Sequence, residues 1–173
     1  VALPPAECWD AFVKYIWLGG GGLGAPRIVE RGDAETYVGN VRQVPLNIQE
    51  EILKGERGRL LEYRVKSGPF PVSYHRGYVN FAAAQDTVGA SGAAGPAGST
   101  LVTWRAAFTP LPLMGPLVTV VIRTSFGLML RNFTKEVARG KAKDVVVRRQ
   151  SWVAGAAAAG LLLVAVVVGV RAA

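Results

Sequence analysis

The sequence predicts an α+β domain in which one long helix lies over one face of a curved antiparallel β-sheet, followed by a single C-terminal transmembrane helix. Three observations carry this. Between Thr36 and Phe108, short segments of β-rich or alternating apolar and polar residues are separated by glycine and proline turns, the pattern of strands. After Pro110 and Pro112 the apolar spacing becomes that of a helix with a broad apolar face. From Trp152 to Val170 no residue is charged. Strands followed by one long helix are the order of an α+β layer structure rather than of an alternating parallel one.

The chain has 173 residues, the length of one domain with its own core. Half of them are apolar, and the mean hydropathy of +0.27 owes nearly all its size to the C-terminal run. These values exclude a disordered chain, a disulfide scaffold and a protein with several membrane spans.

The elements follow in order. After Pro4-Pro5, the residues Trp9, Phe12, Val13 and Ile16 recur at i, i+3, i+4 and i+7, an amphipathic helix opened by a proline in its first turn. Gly19–Gly22 ends it. Gly19, Gly21 and Gly24 satisfy G-x-G-x-x-G, but a phosphate-binding loop must follow a strand and open a helix. Here the glycines follow a helix and lead to Pro26, so a flexible connection is expected and no nucleotide site. Strands are expected over Thr36–Leu46, with Gly39 a bulge or close contact, and over Asn47–Lys54, Arg59–Lys66, Val72–Ala83 and Ser99–Phe108. Gly55–Gly58 and Ser67-Gly68-Pro69 are turns, and Asp86–Gly98 reads as a mobile loop. The long helix runs from about Leu113 through Leu117, Val120, Val121, Phe126, Leu128, Met129 and Phe133 to Val137. A sheet bent around such a helix can leave a cavity between them.

The apolar run from Trp152 to Val170 would span about 28 Å as a helix, close to the thickness of a bilayer's hydrocarbon core. Trp152 stands where an indole prefers the interface. The alternative is a buried core helix. Residues 1–130 carry 12 basic and 10 acidic side chains, whereas 131–150 carry seven basic ones against Glu136 and Asp144. The basic excess therefore forms a collar before the span, which suits an anionic membrane surface and not a nucleic-acid partner. The positive-inside rule places the domain on the cytoplasmic side of a single-pass C-terminal anchor. The sequon Asn132-Phe133-Thr134 is then unused.

Candidate polar residues are few. Cys8 and His75 are the chain's only cysteine and histidine, so no disulfide, no Cys/His metal site and no cofactor are expected. Cys8 reads as a small apolar residue of the first helix. His75 is either an ordinary strand residue or a cavity-facing group that hydrogen-bonds a ligand. Glu50 shares a strand face with Ile48 and Ile52, and Arg42 shares one with Val38 and Val44. The two are either a buried pair facing the cavity or a solvated pair on the opposite side. Tyr63, Val65, Trp104 and Phe108 lie on apolar strand faces and are either cavity lining or plain core. Leu117 and Val121 complete the candidate lining from the helix. No G-x-S-x-G elbow or other catalytic constellation is present.

Several stretches resemble the START-like (Bet v 1-like) superfamily, in particular its polyketide cyclase/dehydrase and lipid transport branch. They are Pro4-Pro5-Ala6-Glu7-Cys8-Trp9-Asp10, Val38-Gly39-Asn40-Val41-Arg42, Glu50-Glu51-Ile52, Leu61-Glu62-Tyr63-Arg64-Val65, Ser67-Gly68-Pro69-Phe70-Pro71, and Ser99-Thr100-Leu101-Val102-Thr103-Trp104 with Phe108. The resemblance covers about residues 1–140. It implies a helix-grip fold enclosing a hydrophobic ligand cavity, with most of its first strand missing ahead of Val1-Ala2-Leu3. The C-terminal span and the Gly/Ala-rich loop depart from the family pattern. The expected organisation is a START-like ligand-binding domain over 1–145, a basic linker over 146–151 and a transmembrane helix over 152–170. The expected function is membrane-anchored binding, or transfer, of a lipid or other hydrophobic small molecule. Family membership transfers no activity. The alternatives are a cyclase or dehydratase using Arg42, Glu50 or His75, and a structural subunit with a membrane-protein partner and a vestigial pocket.

Overall fold

The structure, a computed structural model, describes residues 1–84 and 98–140. Helix α1 (Pro5–Phe12) continues into a π-helical turn, Val13–Leu18, and a 3-10 turn, Gly20–Gly22. Six strands follow: β1 (Arg27–Glu30), β2 (Val41–Val44), β3 (Ile48–Glu56), β4 (Leu60–Ser67), β5 (Val72–Ala83) and β6 (Thr100–Pro110). Helix α2 (Gly115–Ala138) closes the described fold. The strands form one antiparallel sheet in sequence order, β1 to β6. Register shifts interrupt three of its ladders, at Ile28/Glu30, twice within β3–β4, and at Val72/Tyr74. Each such bulge bends a strand and increases its twist, which is how the sheet acquires its curvature.

The core lies between the helices and the concave face of the sheet. Trp9, Phe12, Val13 and Ile16, the residues at helical spacing, are all buried. Phe12 meets Phe81, Trp104 and Phe133 edge-on at 5.4–5.7 Å, so one ring joins α1, β5, β6 and α2. On α2 the buried residues are Val118, Ile122, Met129 and Phe133. Val120 and Leu128, expected on the apolar face, point outward, and Leu113 precedes the helix fully exposed. The stripe is narrower than the composition of this segment implies, because Leu and Val occur on both sides of it.

Several local expectations need correction. Thr36–Leu46 is not one strand: only Val41–Val44 is, because the Asp33 carboxylate accepts hydrogen bonds from the Glu35 and Thr36 amides and the Thr36 hydroxyl and holds a turn. Strand β1 was not expected, since four residues after Pro26 carry little periodic signal. Gly19–Gly22 is a packed turn rather than a flexible connection. At Gly21 (φ +59°) a Cβ would lie 2.8 Å from Met129 Cγ, and the Gly21 carbonyl accepts from Asn132 Nδ2 at 3.2 Å.

Val1–Leu3 lies against the start of β6. The Thr100 amide donates to the Val1 carbonyl at 2.8 Å and the Thr100 hydroxyl donates to the Leu3 carbonyl at 2.6 Å. Among the described residues no helix is long and apolar enough to cross a membrane. The Gly/Ala-rich segment 85–97, the linker 146–151 and the apolar run 152–170 lie outside the described residues.

The ladder between β4 and β5 is short. It holds four register pairs, from Leu60–Asn80 to Tyr63–Gly77, and then stops, while β4 continues beside β3 to Ser67 and β5 continues beside β6 back to Val72. The two strands diverge beyond Tyr63, and the Ser67–Pro71 turn bridges the gap.

Candidate ligand-binding site

Beside this divergence, between the sheet and α2, lies a cavity of about 170 Å³. Strands β2, β3 and β4 supply Arg42, Val44, Ile48, Glu50, Tyr63 and Val65. Helix α2 faces them with Val121, Ile122, Ser125, Phe126 and Met129, an i, i+4 stripe over two turns. Gly20, Leu23 and Gly24, the turn at Pro45 and Leu46, and Phe70 and His75 complete the lining. The lining is apolar except for Ser125, the Tyr63 hydroxyl and one cluster formed by Arg42, Glu50 and His75.

The cluster is built into the backbone. Arg42 Nε donates to Glu50 Oε2 at 2.8 Å and Nη2 lies 2.7 Å from the same oxygen. Nη1 donates to the Ile16 and Trp17 carbonyls at 2.7 and 2.8 Å. These carbonyls lie at the end of the first helical segment, at the negative end of its dipole, and the Ile16 carbonyl also accepts from the Gly19 amide. The Trp17 ring stacks on the guanidinium, 4.0 Å from its centroid, and Trp17 Nε1 donates to Asn40 Oδ1. The pair directly opposes itself across the sheet, Arg42 facing Glu50 in the β2–β3 register. Its side chains are 4% and 14% exposed, so it is a buried ion pair and not a solvated one.

His75 sits on β5, ringed by Tyr63 and Phe70 at centroid distances of 5.7 and 6.1 Å. It is 7% exposed, and its Nδ1 is buried without a hydrogen-bond partner. Burial lowers its pKa below the ordinary histidine value, and the Glu50 carboxylate opposes that shift. The imidazole is therefore neutral in the folded protein near pH 7. In the unfolded chain it gains a proton as pH falls through about 6.5. The unfolded state then binds more protons than the folded one, so stability decreases as pH drops through that value and levels off below the folded pKa. Urea titrations from pH 7.5 to 5 should show this decline, and His75→Phe should flatten it.

Of the nine candidate lining residues, Arg42, Glu50, Tyr63, Val65, His75 and Val121 meet on this cavity. Trp104, Phe108 and Leu117 do not line it. Trp104 is used in packing: its ring stacks on Phe126 at 4.0 Å and its Nε1 donates to the Tyr63 hydroxyl at 3.0 Å. Phe108 lies opposite His75 in the β5–β6 register, one strand further from the cavity. Leu117 lies one helical turn before Val121, past the end of the lining stripe. Cys8 is fully buried beside Thr100, and burial pushes its thiol up to about 11, so it is a protonated core residue at neutral pH. Among the described residues no group of three or more His, Cys, Asp or Glu side chains could hold a metal ion.

The sequence did not point to Ser125, Phe70 or the Pro45–Leu46 turn as lining. Ser125 had a usable signal, since it lies four residues from both Val121 and Met129. Phe70 and Leu46 lie in turns, where no periodicity marks the inward side.

No protein-family model matches the chain, and no curated protein matches it significantly. Solved structures do. A solution structure from Thermobifida fusca is 21% identical, with a TM-score of 0.58 over 80% of this chain and 89% of that one. XoxI from Bacillus cereus is 16% identical, with a TM-score of 0.52 over 78% of this chain and 88% of that one. CalU16 from Micromonospora echinospora is 14% identical, with a TM-score of 0.51 over 83% of this chain and 77% of that one. At these identities the shared property is the fold: an antiparallel sheet closed by a long helix, as a helix-grip arrangement requires.

Proposed function

We propose that the chain is a START-like binding domain that holds a small hydrophobic molecule, or one segment of a lipid, between its sheet and α2. The observation that carries this is the cavity itself: an apolar space walled by Ile48, Val65, Val121, Ile122, Phe126 and Met129, with polar groups gathered at one side. Binding sites for small molecules have this composition. The volume limits the guest. A dry apolar cavity of about 150 Å³ accommodates benzene, so about 170 Å³ admits a ring or a short acyl segment and not a whole two-chain lipid.

The uncharged run from Trp152 to Val170 supports a membrane tether for this domain. A tethered cavity meets membrane-dissolved molecules at a raised effective concentration. The basic collar before that run supports a cytoplasmic position for the domain.

The test is calorimetric titration of the full chain with ethylbenzene, together with a variant that fills the cavity. Val121→Trp places an indole in the space from the helix side and should weaken binding at least about tenfold, since a close-packed interior leaves no room for both. Absence of binding to the natural chain, or unchanged affinity in Val121→Trp, overturns the proposal.

A further inference from the structure

The polar side of the cavity shows what kind of head group a guest can bring, granted that the cavity binds one. Arg42 has little left to offer. Nε and Nη2 are directed to Glu50 Oε2, Nη1 serves two backbone carbonyls, and Trp17 covers the guanidinium face. Its charge is cancelled by Glu50. A carboxylate or phosphate arriving here meets the Glu50 carboxylate and no free cation, and it must shed its water in an apolar space, at a cost that only a matching charge could offset.

Two groups remain open. Both Arg42 contacts fall on Glu50 Oε2, so no hydrogen bond reaches Oε1 among the described residues. Oε1 is an acceptor on a cavity-lining side chain. The His75 side chain makes no hydrogen bond among the described residues, and its Nδ1 is buried without a partner in a residue more than nine-tenths buried. A neutral imidazole offers one N–H and one lone pair. A buried polar group without a partner carries a desolvation cost, and the His75 ring borders the cavity, so a guest hydroxyl that bonds to the ring reduces that cost.

We infer that the cavity selects an uncharged ring or short-chain molecule bearing one hydroxyl group, held at the Glu50–His75 side, and rejects the carboxylate of the same shape. The hydroxyl hydrogen is donated to Glu50 Oε1 or to the imidazole lone pair. Its oxygen accepts from the imidazole N–H in the tautomer that presents it. This rests on the binding reading above, and the experiment separates the two.

The probes are 4-ethylphenol, ethylbenzene and 4-ethylbenzoate, titrated into the full chain by calorimetry. One net hydrogen bond should make 4-ethylphenol about fivefold to tenfold tighter than ethylbenzene, with 4-ethylbenzoate the weakest of the three. His75→Phe should reduce the preference for the phenol over ethylbenzene, taken as the ratio of the two affinities in that variant, to less than about threefold. Because the chain has a single histidine, its imidazole ¹⁵N resonances report on the site without any substitution. They should shift with 4-ethylphenol and stay nearly fixed with ethylbenzene. Equal affinity for phenol and hydrocarbon, or tightest binding of the benzoate, or fixed ¹⁵N resonances with the phenol, overturns the inference and leaves the binding reading standing. If none of the three probes binds, the binding reading fails and the inference with it.

Discussion

Arg42→Met is expected to cost about 3–5 kcal/mol of stability, the range for breaking one side of a buried ion pair. The substitution strands Glu50, whose side chain is 14% exposed, without its counter-charge, and it removes the donors from the Ile16 and Trp17 carbonyls at the end of the first helical segment. Methionine fills much of the same volume, so a loss of this size cannot be assigned to a void. The double variant Arg42→Met/Glu50→Leu should recover a large part of it, because an apolar pair of similar size does not carry the desolvation cost of two charges. It should not recover all of it, since the two carbonyls stay without Arg42. Urea denaturation of the single and double variants measures both quantities. If Arg42→Met costs less than about 1 kcal/mol, the pair is effectively solvated and contributes as exposed pairs do.

Gly77→Ala is the second large effect, expected near 3 kcal/mol, the upper part of the usual range for overpacking. Tyr63 lies across the backbone of Gly77, and a Cβ there would sit 2.1 Å from Tyr63 Cε1 and 2.2 Å from Cζ. Tyr63 is itself nearly fully buried, and its hydroxyl accepts from Trp104 Nε1. The ring can move only by giving up that bond and entering the cavity it now borders. Loss of stability should therefore be accompanied by weaker ethylbenzene binding. Thermal unfolding and calorimetry together check this, and full stability with unchanged affinity would show that the sheet can give way at this position.

The residues that the sequence brought to this site share one property: they sit on regular strands or on the helix, where period fixes the side. Glu50 was legible as sharing a face with Ile48 and Ile52, because alternate residues of one strand point the same way, but whether that face was inward stayed open until the structure placed all three inward. Tyr63 and Val65 follow the same rule. Trp104 and Phe108 obeyed it too, yet neither reaches the cavity, because alternation assigns a face and not a depth along the sheet. Over β6 the space beneath the helix is filled by the stack of Trp104 on Phe126. The glycine turn, Leu46 and Phe70 escaped because a turn has no repeat from which an inward side can be read. The expected wide apolar face of α2 was overstated at Val120 and Leu128 for a related reason: an apolar residue on a helix is not thereby a buried one.

The short ladder between β4 and β5 divides the sheet into two blades, one of four strands and one of two, joined along four residue pairs. Helix α2 touches the smaller blade directly and the Arg42–Glu50 pair belongs wholly to the larger one. The joint between the two blades is thus the narrowest connection in the sheet's β3–β6 half, and it lies beside the cavity. Any force that parted the blades would load those four backbone pairs and the Tyr63–Gly77 contact first, while the longer β3–β4 and β5–β6 ladders would stay unbroken on either side.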